Sequence, residues 1–316
     1  MTSTRNIKST IVNALEDWIG TLPEYFREEV RESVVVTGGC ITSLLREENV
    51  NDYDIYFSSN ETAAKVLNHY FSRLGSDYNC SARVDFENNL LVDICGKGNK
   101  IERSKHKPGA GIISIQKNKR YEGKDGIYVP LYLTDNALTL TNGIQLITRW
   151  TGTPDKIHET FDFVHTTNYF TYQEGLVFRP EAMKSLLTNE LRYGAFGTGG
   201  TQYPVAALFR ARKFIERGWK INAGELFKIA FAISKLDLTN AKVLQEQLVG
   251  VDLLLFAEFL EKIEAKNIDL SKVDMGYVFN LMEEVFDGTG SVDIKSGVSI
   301  DSNNFRVSRV VRRATY

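Results

Sequence analysis

Val34-Val35-Val36-Thr37-Gly38-Gly39-Cys40-Ile41-Thr42-Ser43-Leu44-Leu45 runs on to Asn51-Asp52-Tyr53-Asp54-Ile55-Tyr56-Phe57, and this stretch decides the fold. The β-branched run reads as a buried strand, because valine is favoured there and glycine punctuates its end. The glycine pair lets backbone approach a ligand closely, and the helix behind it offers N–H groups to a phosphate. In an extended segment Asp52 and Asp54 share one face, since side chains alternate with period two. Two neighbouring carboxylates repel unless a cation lies between them. Hard oxygens on one face suit Mg²⁺ carried in with a nucleoside triphosphate.

Strand, glycine pair, helix and Asp-x-Asp in this order resemble the active-site signature of the polymerase-β-like nucleotidyltransferases, and the Gly39 to Asp52 spacing falls in that superfamily's range. The resemblance implies nucleotidyl transfer with two Mg²⁺ ions, Mn²⁺ being an alternative, held by Asp52, Asp54 and a third carboxylate. It also implies that Gly38, Gly39 and Ser43 cradle the terminal phosphates of an NTP, with ATP or CTP first in line.

The chain has 316 residues, which allows one large or two modest domains. Its net charge of −2 excludes a general attraction to nucleic acid, so any such contact needs a local patch. Cys40, Cys80 and Cys95 are odd in number and outside any metal-ligand spacing, which reads as reduced packing thiols of a cytoplasmic protein. With no long apolar run, neither export nor membrane spanning is expected.

Ile11, Leu15, Trp18 and Ile19 recur at helical spacing, and residues 24–32 read as a second short helix. Ser59 caps a helix carrying Ala64, Val66, Leu67, Tyr70, Phe71 and Leu74 up to Gly75. Ala82 to Phe86 and Leu90 to Ile94 form a hairpin across Asn88-Asn89. Strands are predicted again at 127–133, 136–140 and 143–150, followed by a short helix opening at Thr153-Pro154-Asp155.

Between these elements, residues 97–124 hold nine Lys or Arg against two Glu, a net +7 inside a chain of −2. Glycine and Pro108 mark the segment as loop and hairpin. Lys105, Lys107, Lys117, Lys119 and Arg120 are the candidates for contacting an RNA backbone, and a merely solvated basic loop is the alternative.

For the third carboxylate the superfamily resemblance leaves three positions. Asp85 and Asp93 lie soon after the Asp-x-Asp strand. Asp162, in Phe161-Asp162-Phe163-Val164-His165, is preferred, on the expectation that this segment is a strand returning beside Asp54. His165 reads as a sheet residue with a satisfied imidazole.

Residues 203–221 read as one helix with Pro204 at its start, Gly218 near its end, and Arg210, Lys213 and Arg217 on one face. Pro204, Phe209-Arg210, Lys213-Phe214 and Gly218-Trp219 resemble a helix of the tRNA nucleotidyltransferase and bacterial poly(A) polymerase family, whose basic residues help bind the triphosphate. That role carries over to Arg210 and Lys213. Val205-Ala206 departs from the family, and Lys213 stands where it has arginine, a point charge instead of a fork.

The expected fold class is α+β: a nucleotidyltransferase domain with a small mixed sheet over residues 1–178, carrying the basic insertion near 97–126. An all-helical domain over 179–286 and a loosely ordered basic tail over 287–316 complete it. The expected acceptor is a tRNA-like RNA 3′ hydroxyl. A protein or small-molecule hydroxyl, and a non-catalytic RNA-binding or assembly role, are the alternatives.

Overall fold

Three valines and a threonine, all buried, make β1 (Val34–Thr37), the strand on which the main sheet is built. The computed structural model describes residues 4–74, 78–96, 99–101, 113–114, 128–133, 136–194, 201–238, 240–247, 299–300 and 307–308. Ahead of β1 come α1 (Thr4–Ile19), whose Ile7, Ile11, Leu15, Trp18 and Ile19 are buried, and α2 (Glu24–Ser33). After it come α3 (Gly39–Leu45) and β2 (Tyr53–Phe57). Next is α4 (Asn60–Phe71), capped by the Ser59 hydroxyl, which accepts from Thr62 N.

β3 (Tyr78–Val84) and β4 (Leu90–Gly96) form the expected hairpin, with β5 (Asn99–Ile101) beside β4. These three strands make a separate sheet. The chain returns to the main sheet through β6 (Ile113–Ser114), β7 (Pro130–Leu133), β8 (Ala137–Leu140) and β9 (Ile144–Thr151). Thr153 caps α5 (Pro154–His158) by accepting from Lys156 N. β10 (Tyr169–Thr171) and β11 (Gly175–Val177) close the eight-stranded sheet in the order β11-β10-β1-β2-β9-β8-β7-β6. The β2–β9 pair is parallel and the other pairs are antiparallel.

Alternation along β2 and β9 separates the two faces of this sheet. Ile55, Phe57, Ile144 and Leu146 join the main core with α1, α2, α3, α4 and the small sheet. Trp18 Nε1 donates to Tyr70 Oη at 2.9 Å inside this core, so its one polar group is satisfied. Asp54, Tyr56, Gln145 and Ile147 point the other way, where Val35, Tyr56, Ile157 and Tyr169 form a second cluster.

The chain continues as α6 (Pro180–Thr188), β12 (Glu190–Leu191), α7 (Pro204–Glu216), β13 (Lys220–Ile221), α8 (Ala223–Ile233) and α9 (Ala241–Gln247). Their cluster includes Leu191, Tyr193, Ala207, Ala211, Trp219 and Ile229, and Phe163 reaches into it. β14 (Ser299–Ile300) pairs with β15 (Val307–Ser308).

Two expectations are corrected here. The helix predicted over 203–221 stops at Glu216, because Gly218 turns the chain at φ +82° and Lys220–Ile221 then pair in parallel with Glu190–Leu191. Residues 161–165 are not a strand: Phe163 makes one isolated bridge to Tyr193, and Val164–Thr166 is a 3₁₀ turn. The strand beside β2 is β9.

Candidate active site

Gly38 joins β1 to α3 at φ 91° and ψ −147°, a conformation open to glycine and costly for other residues. A Cβ on Gly38 would stand 3.3 Å from Asp54 Oδ2, so the turn and the carboxylate are packed as one unit. The Gly38 N–H donates to Thr166 O at 3.1 Å and is therefore committed to the fold. Gly39 is exposed, and a Cβ there would meet nothing within 4 Å, so the turn is open on that side. Thr37 anchors it from behind. Its hydroxyl donates to Asn168 O at 2.8 Å and lies 2.8 Å from His158 Nε2. Burial and then Arg179 push His158 down to about 3, in keeping with a neutral ring.

Asp54, on β2, is half-buried, and Asp52, just ahead of the strand, is exposed. Burial, reinforced by the Asp52 charge, lifts Asp54 to about 7. Partial desolvation of its carboxyl raises Asp52 as well, and Arg217 opposes that rise. A carboxyl group lifted by burial and by a neighbouring carboxylate is a donor that a divalent cation would relieve, and Mg²⁺ is often held by two carboxylates plus substrate phosphates. No third His, Cys, Asp or Glu joins them in a metal-holding group among the described residues.

None of the three positions considered for a third carboxylate forms such a group with Asp52 and Asp54 among the described residues. Asp162 is buried and forms an ion pair with Arg210 of α7. Its other oxygen, Oδ1, is buried with no hydrogen-bond partner among the described residues, as is the Tyr193 hydroxyl. Burial and then Asp162 push that tyrosine up to about 12. Asp93 lies on the separate sheet, 3.5 Å from Arg83. Asp85 closes the β3–β4 turn by accepting from Glu87 N at 2.9 Å and Asn89 N at 2.8 Å.

Tyr56 links the two acidic centres. It lies two residues beyond Asp54 on the same face, and burial, then Asp54, raise its phenol, with Arg210 and Asp162 also acting on it. Arg149 of β9 fastens the start of α7: it donates to Tyr203 Oη at 2.5 Å and to Asn136 Oδ1 at 2.9 Å. Its guanidinium also stacks 5.1 Å from the Tyr203 ring.

Arg210 thus reaches Asp162, whereas Lys213 is exposed, and the cation that acts on Asp52 is Arg217. Sequence spacing had put Arg217 on the shared basic face without assigning it to the site. Ser43 is half-buried on α3. His165 is corrected: it is fully buried in a 3₁₀ turn, both ring nitrogens lack a hydrogen-bond partner among the described residues, and burial holds it down at about 3. It packs 4.2 Å from the Trp219 ring and 4.5 Å from Phe214. Lys105, Lys107, Lys117, Lys119 and Arg120 lie outside the described residues. No helix among the described residues is long and apolar enough to cross a membrane.

A family model with the description Gabija anti-defense 2 family protein matches residues 10–189. No curated protein matches the chain. Among solved structures, the chain is similar to a Thermotoga maritima CCA-adding enzyme complexed with tRNA. Identity is 14% and TM-score 0.44, covering 92% of this chain and 57% of that one. A CCA-adding enzyme with ATP is similar at 17% identity and TM-score 0.43, covering 90% and 55%. A CCA-adding enzyme with CTP follows at 16% identity and TM-score 0.41, covering 88% and 52%. The chain spans little more than half the length of these proteins.

Proposed function

The chain belongs to the Gabija anti-defense 2 family, and from that premise we propose that it is a metal-dependent nucleotidyltransferase of the polymerase-β-like superfamily. The observation that carries the reading is Asp54, acted on by Asp52 and packed against the open Gly38–Gly39 turn, on the sheet face opposite the main core.

Asp52 and Asp54 would hold Mg²⁺, which when bound supplies the positive charge that stabilises an in-line displacement at the α-phosphorus. Gly39 leaves room for the triphosphate, and Ser43 offers a hydroxyl from the first turns of α3. Arg210 and Lys213 on α7, and Arg217 just past its end, supply positive charge. The bond from the α-phosphorus to the acceptor oxygen forms as the bond to pyrophosphate breaks.

Two acceptors follow from different observations. The +7 stretch over residues 97–124 favours an RNA 3′ hydroxyl. The family's anti-defense description favours a hydroxyl on a protein of the opposed defence system, since covalent modification of such a component would disable it. Incubation with each α-³²P-labelled NTP, Mg²⁺, and either total RNA or purified Gabija proteins separates them. Label in RNA supports the first acceptor and label in protein the second. No label in either, from a folded protein, overturns the transferase reading.

A further inference from the structure

We propose that Gln145 is the third oxygen donor at the Asp52–Asp54 site, a neutral ligand that positions the cation and its bound substrate. This rests on the nucleotidyltransferase reading above. The parallel register pairs Tyr53 with Ile144, Asp54 with Gln145 and Ile55 with Leu146. Register partners on neighbouring strands share a face, and the strands lie about 4.8 Å apart. Ile144 and Leu146 are buried in the main core, so Gln145 projects with Asp54 from the opposite face, where it is half-buried.

The next strand holds the amide in place. β8 pairs Thr139 with Gln145, and Gln145 Nε2 donates to Thr139 Oγ1 at 3.3 Å. That bond directs the amide nitrogen toward β8, and among the described residues Oε1 accepts no hydrogen bond. The three acids considered for this position have partners of their own: Asp162 pairs with Arg210, Asp93 with Arg83, and Asp85 closes its own turn.

An amide carbonyl is a hard oxygen, suited to Mg²⁺ or Mn²⁺, and it adds no third negative charge to a pair that already repels. Two carboxylates balance one divalent cation. Gln145 can accept a hydrogen bond from a substrate hydroxyl but cannot take its proton, so its part is positioning.

The test is an MnCl₂ titration of the full chain without nucleotide, with bound Mn²⁺ read by electron paramagnetic resonance and folding checked by thermal melting. Gln145→Glu, which supplies a charged donor at the same length, should tighten Mn²⁺ binding about tenfold, because ligand charge sets divalent affinity. Gln145→Ala should weaken it about tenfold, the lower end of what losing a supporting ligand contact costs. Gln145→Asn withdraws the oxygen by one methylene and should also bind more weakly while melting like the parent. Wild-type affinity in all three, with binding lost in Asp54→Asn, overturns the role of Gln145 alone. Equal binding by Asp54→Asn and the parent overturns the metal site and this proposal together.

Discussion

Replacing Asp54 by asparagine should stabilise the metal-free protein, and should do so more as the pH rises. The folded Asp54 sits at about 7 against an ordinary 3.8, raised by burial and by Asp52. Below pH 3.8 the carboxyl is protonated in both folded and unfolded chains and affects neither. Between 3.8 and 7 the unfolded chain has released a proton that the folded chain retains, so wild-type stability falls with pH. The full interval corresponds to a ceiling of about 4 kcal/mol. Solvent reaches a half-buried carboxylate, so about 2–4 kcal/mol is the expected range. Urea unfolding of both proteins in EDTA at pH 4.5, 5.5, 6.5 and 7.5 measures it: the gap between the two should open across this series. A gap that stays constant with pH would refute the reasoning, because a carboxylate of ordinary pKa contributes no slope there. Excess MgCl₂ at pH 7.5 should then raise the stability of the wild type and leave Asp54→Asn unchanged.

Gly38→Ala should destabilise by about 1–3 kcal/mol, since the residue sits at φ 91° and its new Cβ would crowd Asp54 Oδ2; chemical denaturation reads this, and an unchanged midpoint would count against the turn geometry. Tyr70→Phe should cost about 1–3 kcal/mol by leaving the buried Trp18 N–H without its acceptor, measured by the same unfolding curves. Asp93→Asn should leave label transfer within about twofold of wild type, because Asp93 lies on the separate sheet beside Arg83, whereas Asp162→Asn should lower it more than tenfold by loosening Arg210. If Asp93→Asn were the more damaging of that pair, the placement of the site on the main sheet would be wrong.

Much of the local structure was readable along the chain. The spacing of Ile11, Leu15 and Trp18, the Ser59 and Thr153 caps, and Pro204 at the start of α7 each state their own conformation within a few residues. Asp54 on a short extended run after the glycine turn was legible for the same reason, with Asp52 just ahead of that run. The expected strand over 161–165 fails at the same local level: its buried rings are spent on separate neighbours, Phe163 on the cluster beside α7 and His165 on Trp219 and Phe214. Apolar content alone does not distinguish a strand from a buried turn.

The sequence by itself determined the glycine turn, the two carboxylates, the helix termini and the concentration of positive charge in one stretch. Each of these depends on residues near one another in the chain. The tertiary structure decided what stands beside Asp54, because β2 and β9 are about ninety residues apart and no local signal sets their parallel register. It also decided that Asp162 answers Arg210, that Arg217 is the cation acting on Asp52, and that the hairpin carrying Asp85 and Asp93 builds a sheet of its own. A charge's partner is fixed by which elements pack together, and packing is a property of the whole chain.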